Sequence, residues 1–240
     1  MRPFDPNTIE TLPLDLPTTG GRGVLDPVEA GLPATLWAGG PPQRIAGLIE
    51  AQSLQGVPEV QRLLRAILLA DVTPPEGPDP EQAVLTARLD AMMAAGWLED
   101  ARRLSEEVGA PSSALFRRAF DIGLLTGQAD QRCADLRASP ALDPTLSART
   151  FCLARVGDWA AAELTLSLGE RMGSFTRAEA GALARFLDPA LYEGQPPPPL
   201  PRQMTTLLYV VRDAVGLPRP PGRLPLAFVW LDATDEAPLK

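Results

Sequence analysis

A chain of 240 residues, 45% hydrophobic and 5% aromatic, can fold as one or two domains with a core of Leu, Ala and Val. Its formal charge of -8 argues against nucleic acid as a partner, because phosphate binding needs clustered Lys and Arg. The chain has no histidine, so hydrolytic and zinc chemistry lose their commonest general base, metal ligand and nucleophile partner.

No apolar stretch approaches the roughly 20 residues of a membrane span. No signal-peptide core follows Met1. The opening Arg2-Pro3-Phe4-Asp5-Pro6 reads either as a cytoplasmic start or as a mature terminus whose signal has been removed. Residues 1–43 carry eight prolines and the run Gly20-Gly21-Arg22-Gly23, with Leu12, Leu14, Leu16, Val24 and Leu25 between them. This composition predicts an extended arm, packed along the rest of the chain or along a partner. The glycine run follows no strand and opens no helix, so it is no phosphate-binding loop.

Residues 44–188 read as a helical-hairpin domain. Ile45, Leu48 and Ile49 form one apolar face. After Gly56-Val57-Pro58, a second helix carries Val60, Leu63, Leu64, Ile67 and Leu68. The two are expected to form a first, irregular hairpin, broken by Thr73-Pro74-Pro75-Glu76-Gly77-Pro78.

From Glu81 to Asp188 the pattern becomes regular. Three helix-like runs stop at Gly96, Gly127 and Gly157, spaced 31 and 30 residues apart, and each restarts as a second amphipathic run. That period is close to those of stacked helical-hairpin repeats. Apolar stripes at helical spacing are Leu85/Leu89/Met93, Trp97/Ala101/Leu104/Val108, Phe116/Phe120/Leu124, Ala129/Cys133/Leu136 and Trp159/Ala162/Leu166. Asp79 with Pro80, Asp143 with Pro144, and Asp158 are helix-start signals. Thr176 with Glu179 makes a capping-box pattern behind Phe175. The junction glycines are read as hairpin punctuation, with Trp97 and Trp159 buried where one hairpin meets the next.

Residues 189–240 form the third segment. Pro196 to Pro199, with Pro201, reads as a polyproline spacer in preference to a recruiting motif. A helix over Met204–Val215 and a Pro-rich link follow. The apolar run from Leu226 to Leu231 would then have little to cover it, which predicts a native chain that continues. The carboxylate clusters Glu99-Asp100, Glu106-Glu107 and Asp232/Asp235/Glu236 are read as solvated faces.

Cys133 and Cys152 flank the turn at Ser139 to Asp143 at matching heights on antiparallel helices. An even pair so placed favours a disulfide, and with it an exported protein; two buried free thiols are the alternative.

The hairpin region resembles degenerate tetratricopeptide and Sel1-like repeats in period and small-residue placement. Leu12-Pro-Leu-Asp-Leu-Pro17, Gly23-Val-Leu-Asp-Pro-Val-Glu-Ala-Gly-Leu-Pro33 and Phe151-Cys-Leu-Ala-Arg-Val-Gly-Asp-Trp159 look like an uncharacterised family of exported alphaproteobacterial proteins. Some of its members are labelled antifreeze proteins. Ice binding needs a flat array of Thr-like side chains, and this chain has no such array, so the label is not carried over.

The expectation is an all-α, tetratricopeptide-like solenoid with an extended Pro-rich arm. Its expected role is a non-catalytic periplasmic scaffold or adaptor binding proteins, copies of itself included, without a cofactor. The class of organism that the resemblance implies makes a flagellar-motor accessory one candidate. The alternatives are a cytoplasmic location, a non-catalytic domain of an envelope enzyme or transporter, and a small-ligand-binding protein with a pocket at Trp37, Trp97 or Trp159.

Overall fold

A computed structural model describes residues 20–53, 56–79, 82–110, 112–142, 145–222 and 224–233. The described residues form helices and no strand; their sheet-like pairing is an isolated bridge between Leu25 and Ala70. The helices are Pro42–Glu50 (α1), Pro58–Leu69 (α2), Ala83–Ala94 (α3), Leu98–Val108 (α4), Ser113–Leu125 (α5) and Ala129–Ala138 (α6). They continue with Leu146–Arg155 (α7), Trp159–Arg171 (α8), Arg177–Leu187 (α9), Thr206–Ala214 (α10) and Leu226–Ala233 (α11).

The junction glycines end α3, α5 and α7 in the left-handed region, at φ 74, 79 and 83° for Gly96, Gly127 and Gly157. In each turn the next residue donates back five positions: Trp97 N to Met92 O at 2.9 Å, Gln128 N to Gly123 O at 2.7 Å and Asp158 N to Leu153 O at 2.9 Å. This closure satisfies carbonyls at the helix end and requires a residue that tolerates positive φ. Gly173 and Gly216 close α8 and α10 in the same way, through Ser174 N to Gly169 O and Leu217 N to Arg212 O. A Cβ at Gly127 would meet nothing within 4 Å. Gly127→Ala is therefore expected to cost only its backbone strain, about 1–2 kcal/mol in urea unfolding. An unchanged midpoint would contradict that.

Helix starts follow the sequence signals. Asp158 Oδ1 accepts from Ala161 N at 3.2 Å, and Thr176 and Glu179 make both bonds of the capping box. α3 departs from the expected start at Asp79: its N-cap is Gln82, in the left-handed region at φ 53°, and Asp79 Oδ1 accepts from Ala83 N at 2.8 Å from outside the cap position. Pro80, Asp143 and Pro144 lie outside the described residues.

From α3 to α9 each helix packs against the next in the chain. The first pair departs from the expected hairpin. α1 lies along α3, placing Ile45 and Ile49 in one core cluster with Leu85, Leu89 and Met92. α2 meets α3 only weakly and buries just Leu68 and Leu69. A second cluster holds Phe116, Phe120, Leu136, Phe151 and Leu183, where Phe120 meets Phe151 edge-on at 6.4 Å.

The C-terminal helices turn back over earlier ones. α10 packs on both α5 and α9, and α11 packs on both α3 and α5. The Leu226 run thus has a partner for part of its length, while Leu226 and Val229 stay nearly half exposed and the side chains of Trp230 and Leu231 lie outside those described. Ala227 and Phe228 are buried, and Phe228 stacks on Tyr209 at 4.4 Å between centroids.

The described parts of both Pro/Gly-rich segments lie on this chain's own surface, while residues 1–19, with the Leu12 to Pro17 run, lie outside the described residues. Residues 20–25 run beside 69–72, with Val24 N on Leu69 O and Val72 N on Gly21 O. A Cβ at Gly23 would stand 2.2 Å from Ala70 O, so only glycine permits this approach. Between the two segments lies Arg88, fully buried on α3. It donates from Nε to Leu68 O (2.7 Å), from Nη1 to Gly20 O (3.2 Å) and Arg22 O (2.6 Å), and from Nη2 to Ala70 O (3.2 Å). Burial lowers its guanidinium to about 10, partly opposed by the nearby Asp71. Beyond α9, Arg185 donates from Nη2 to Pro196 O at 2.6 Å, and Pro198 lies over Gly181, holding the polyproline run against the helix.

The carboxylates are less uniformly solvated than their sequence predicts. Asp100 is buried and takes a two-pronged contact from Arg65. Arg102 ties Glu99 to Glu106, while Gln128 bridges to Glu106 from the next hairpin at 2.7 Å. These contacts hold Glu99 and Glu106 below the usual carboxylate range: for Glu99 first through Arg102, for Glu106 first through Gln128. The side chains of Asp232, Asp235 and Glu236 lie outside those described.

Candidate functional site

Cys133 and Cys152 form a disulfide with Cα atoms 5.1 Å apart, joining α6 to α7. Both are buried in the second core cluster. Such bonds persist in oxidising compartments. Among the described residues no helix is long and apolar enough to cross a membrane.

The two tryptophans expected at hairpin interfaces part company. Trp97 is half-buried and packs against the first core cluster at the start of α4. Trp159 is 52% exposed, which corrects the expectation that it is buried. It occupies the first position of α8, one turn ahead of the buried Ala162 and two ahead of the buried Leu166. The stripe is real, but its first member overhangs the end of the contact surface.

Trp159 instead forms one wall of a groove of about 340 Å³ between α8 and the end of α9 with the turn that follows it. Its other aromatic wall is Tyr192, on the short 3-10 turn Ala190–Tyr192, with Leu191 alongside. Glu163 and Glu170 project from α8, and Asp188 closes the far side. Spacings of four and seven along α8 put Trp159, Glu163 and Glu170 on one face.

Neither Glu163 nor Glu170 has an ion-pair partner among the described residues, while Asp188 Oδ1 accepts from Leu191 N at 3.1 Å. Among the described residues no three acidic or thiol side chains converge as a metal ion requires. Arg185 lies over the Tyr192 ring at 4.8 Å and lines the neighbouring depression, not this groove.

Beside the groove, rotated by one residue around α8, runs a second row. Leu164 is 70% exposed, Leu168 53% and Met172 67%. At these spacings the three form one apolar stripe, which a helix normally turns inward. Sequence reasoning missed it because Leu164, Leu168 and the buried Ala162 and Leu166 alternate too evenly to show which side faces the core.

No protein-family model matches the chain, no curated protein is similar to it, and no solved structure matches its fold.

Proposed function

We propose that this protein is a non-catalytic scaffold or adaptor that docks other proteins on the outer face of α8, in the periplasm. The observation that carries this reading is the exposed row Leu164, Leu168 and Met172 beside the Trp159 groove. The α3/α4, α5/α6 and α7/α8 pairings with their shared glycine turns support a tetratricopeptide-like array. Arrays of that kind usually bind through a concave face. Here α10 and α11 lie across α3, α5 and α9, so this chain already covers much of what such a face would offer. Exposed apolar residues remain on α1 and α2 (Leu48, Val60, Leu63) as well as on α8, and the α8 row is the better docking site because it adjoins the aromatic groove. The buried disulfide supports an oxidising location, and an envelope assembly such as the flagellar motor is the kind of partner complex this reading anticipates.

The Trp159 groove favours a second reading, the binding of a small ligand, because its volume falls within the range of small-molecule sites. A photo-crosslinking residue placed at 164 or 168 in living cells tests the first. Defined protein adducts from both positions, and none from the exposed Arg137 on α6, are expected. An absence of adducts from α8 overturns the docking reading. Trapping thiols in the same cells should find Cys133 and Cys152 oxidised; reduced thiols would remove the periplasmic location.

A further inference from the structure

We infer that the groove at Trp159 receives an Arg or Lys side chain from an extended segment of the docked protein, whose apolar neighbours rest on Leu164 and Leu168. This inference rests on the docking reading of α8. Two independent features point to a cation. The half-exposed Trp159 indole walls the groove, and aromatic faces attract positive charge, as the Arg185 guanidinium over the neighbouring Tyr192 ring already shows. Glu163 and Glu170 stand at the same groove with no ion-pair partner among the described residues, although the other acidic residues of the hairpins are commonly paired, as at Glu99, Glu106 and Asp130.

The carboxylates do not converge on one point, so a compact metal ion would be poorly held. A guanidinium or ammonium on a flexible stem needs no such convergence: its methylenes lie on the aromatic wall while its head meets either carboxylate. The occupant is a protein segment because the apolar row adjoins the groove on the same helix. The Leu164 row lies about 100° round α8 from Glu163, so an extended segment that crosses the helix sets the apolar neighbours of the bound cation on Leu164 or Leu168. A free small cation would leave that row uncovered. The net charge of -8 adds a long-range attraction for a basic segment.

The test follows the indole N–H signal of Trp159 in the full chain by NMR, assigned with Trp159→Phe. The probes are a short blocked peptide alternating leucine and arginine, its leucine–glutamine counterpart, and tetramethylammonium chloride. The arginine peptide should shift the signal saturably while the glutamine peptide does not. Glu163→Gln combined with Glu170→Gln should weaken that binding about threefold, since the exposed charge contact to either carboxylate is lost. Trp159→Leu removes the reporting indole, so its binding is titrated by isothermal calorimetry; it keeps apolar area and should bind about threefold more weakly through loss of the aromatic face.

All three positions are exposed, so the variants should retain the helical circular dichroism of the parent. Equal binding of the glutamine peptide, or no change in the double variant, overturns the cation assignment. Tetramethylammonium binding as tightly as the arginine peptide overturns the choice of a protein segment and returns the groove to small organic cations. No shift with any probe, while crosslinks from 164 and 168 persist, overturns the groove proposal and leaves the docking face standing. Loss of those crosslinks as well removes both.

Discussion

Arg88→Met is expected to lower the unfolding free energy by about 3–5 kcal/mol, the cost of breaking a buried charged contact from one side. Methionine fills much of the volume but donates nothing. The carbonyls of Gly20, Arg22, Leu68 and Ala70 would then lose the donor they share in the core. Arg88→Lys should recover little, because an ammonium lacks the planar fork that reaches both chain segments at once. Urea unfolding followed by circular dichroism gives the number. The local signature is loss of amide-exchange protection at Val24 and Val72, whose backbone bonds hold residues 20–25 to 69–72. A loss below about 1 kcal/mol would show that the two segments are held by their own pairing and by Gly23.

Replacing Cys133 and Cys152 together by alanine is expected to cost about 3 kcal/mol on the chain-entropy account, for cysteines 19 positions apart. The packing of α6 on α7 should survive, because Leu136, Ala148 and Phe151 remain in the cluster. The variant should therefore keep its helical signal and unfold earlier in denaturant. A much smaller loss would mean that the segment between the cysteines is already ordered in the unfolded ensemble. Reductant acting on the native protein should work slowly, since both sulfurs are buried and exchange requires access.

Local rules carried far in this chain. Gly96, Gly127 and Gly157 could be read as helix stops because a left-handed closing residue is a requirement of the backbone itself, and the Thr176–Glu179 box is equally local. The pairing of Cys133 with Cys152 followed from two helices and one turn. What could not be read depends on distant partners. Nothing around Arg88 distinguishes it from an exposed helical arginine; its burial depends on carbonyls offered 18 to 68 positions earlier. Asp100 looked solvated beside Glu99, yet Arg65 waits across from it on α2. Trp159 failed for a geometric reason, since periodicity gives a helix face but not where the neighbouring helix ends. Tyr192 and Asp188, which complete the groove, carry no motif and meet Trp159 only through the turn after α9.

The double attachments of α10 and α11 bear on how such a chain can change over time. An array whose units touch only their neighbours can gain or lose a unit and still fold. Here α10 grips α5 and α9 together, while α11 grips α3 and α5 together. A hairpin inserted between α5 and α9 would pull apart two surfaces that one nine-residue helix must span. The C-terminal straps therefore fix the number of hairpins, and insertions or deletions that preserve the fold belong in the turns, not in whole units.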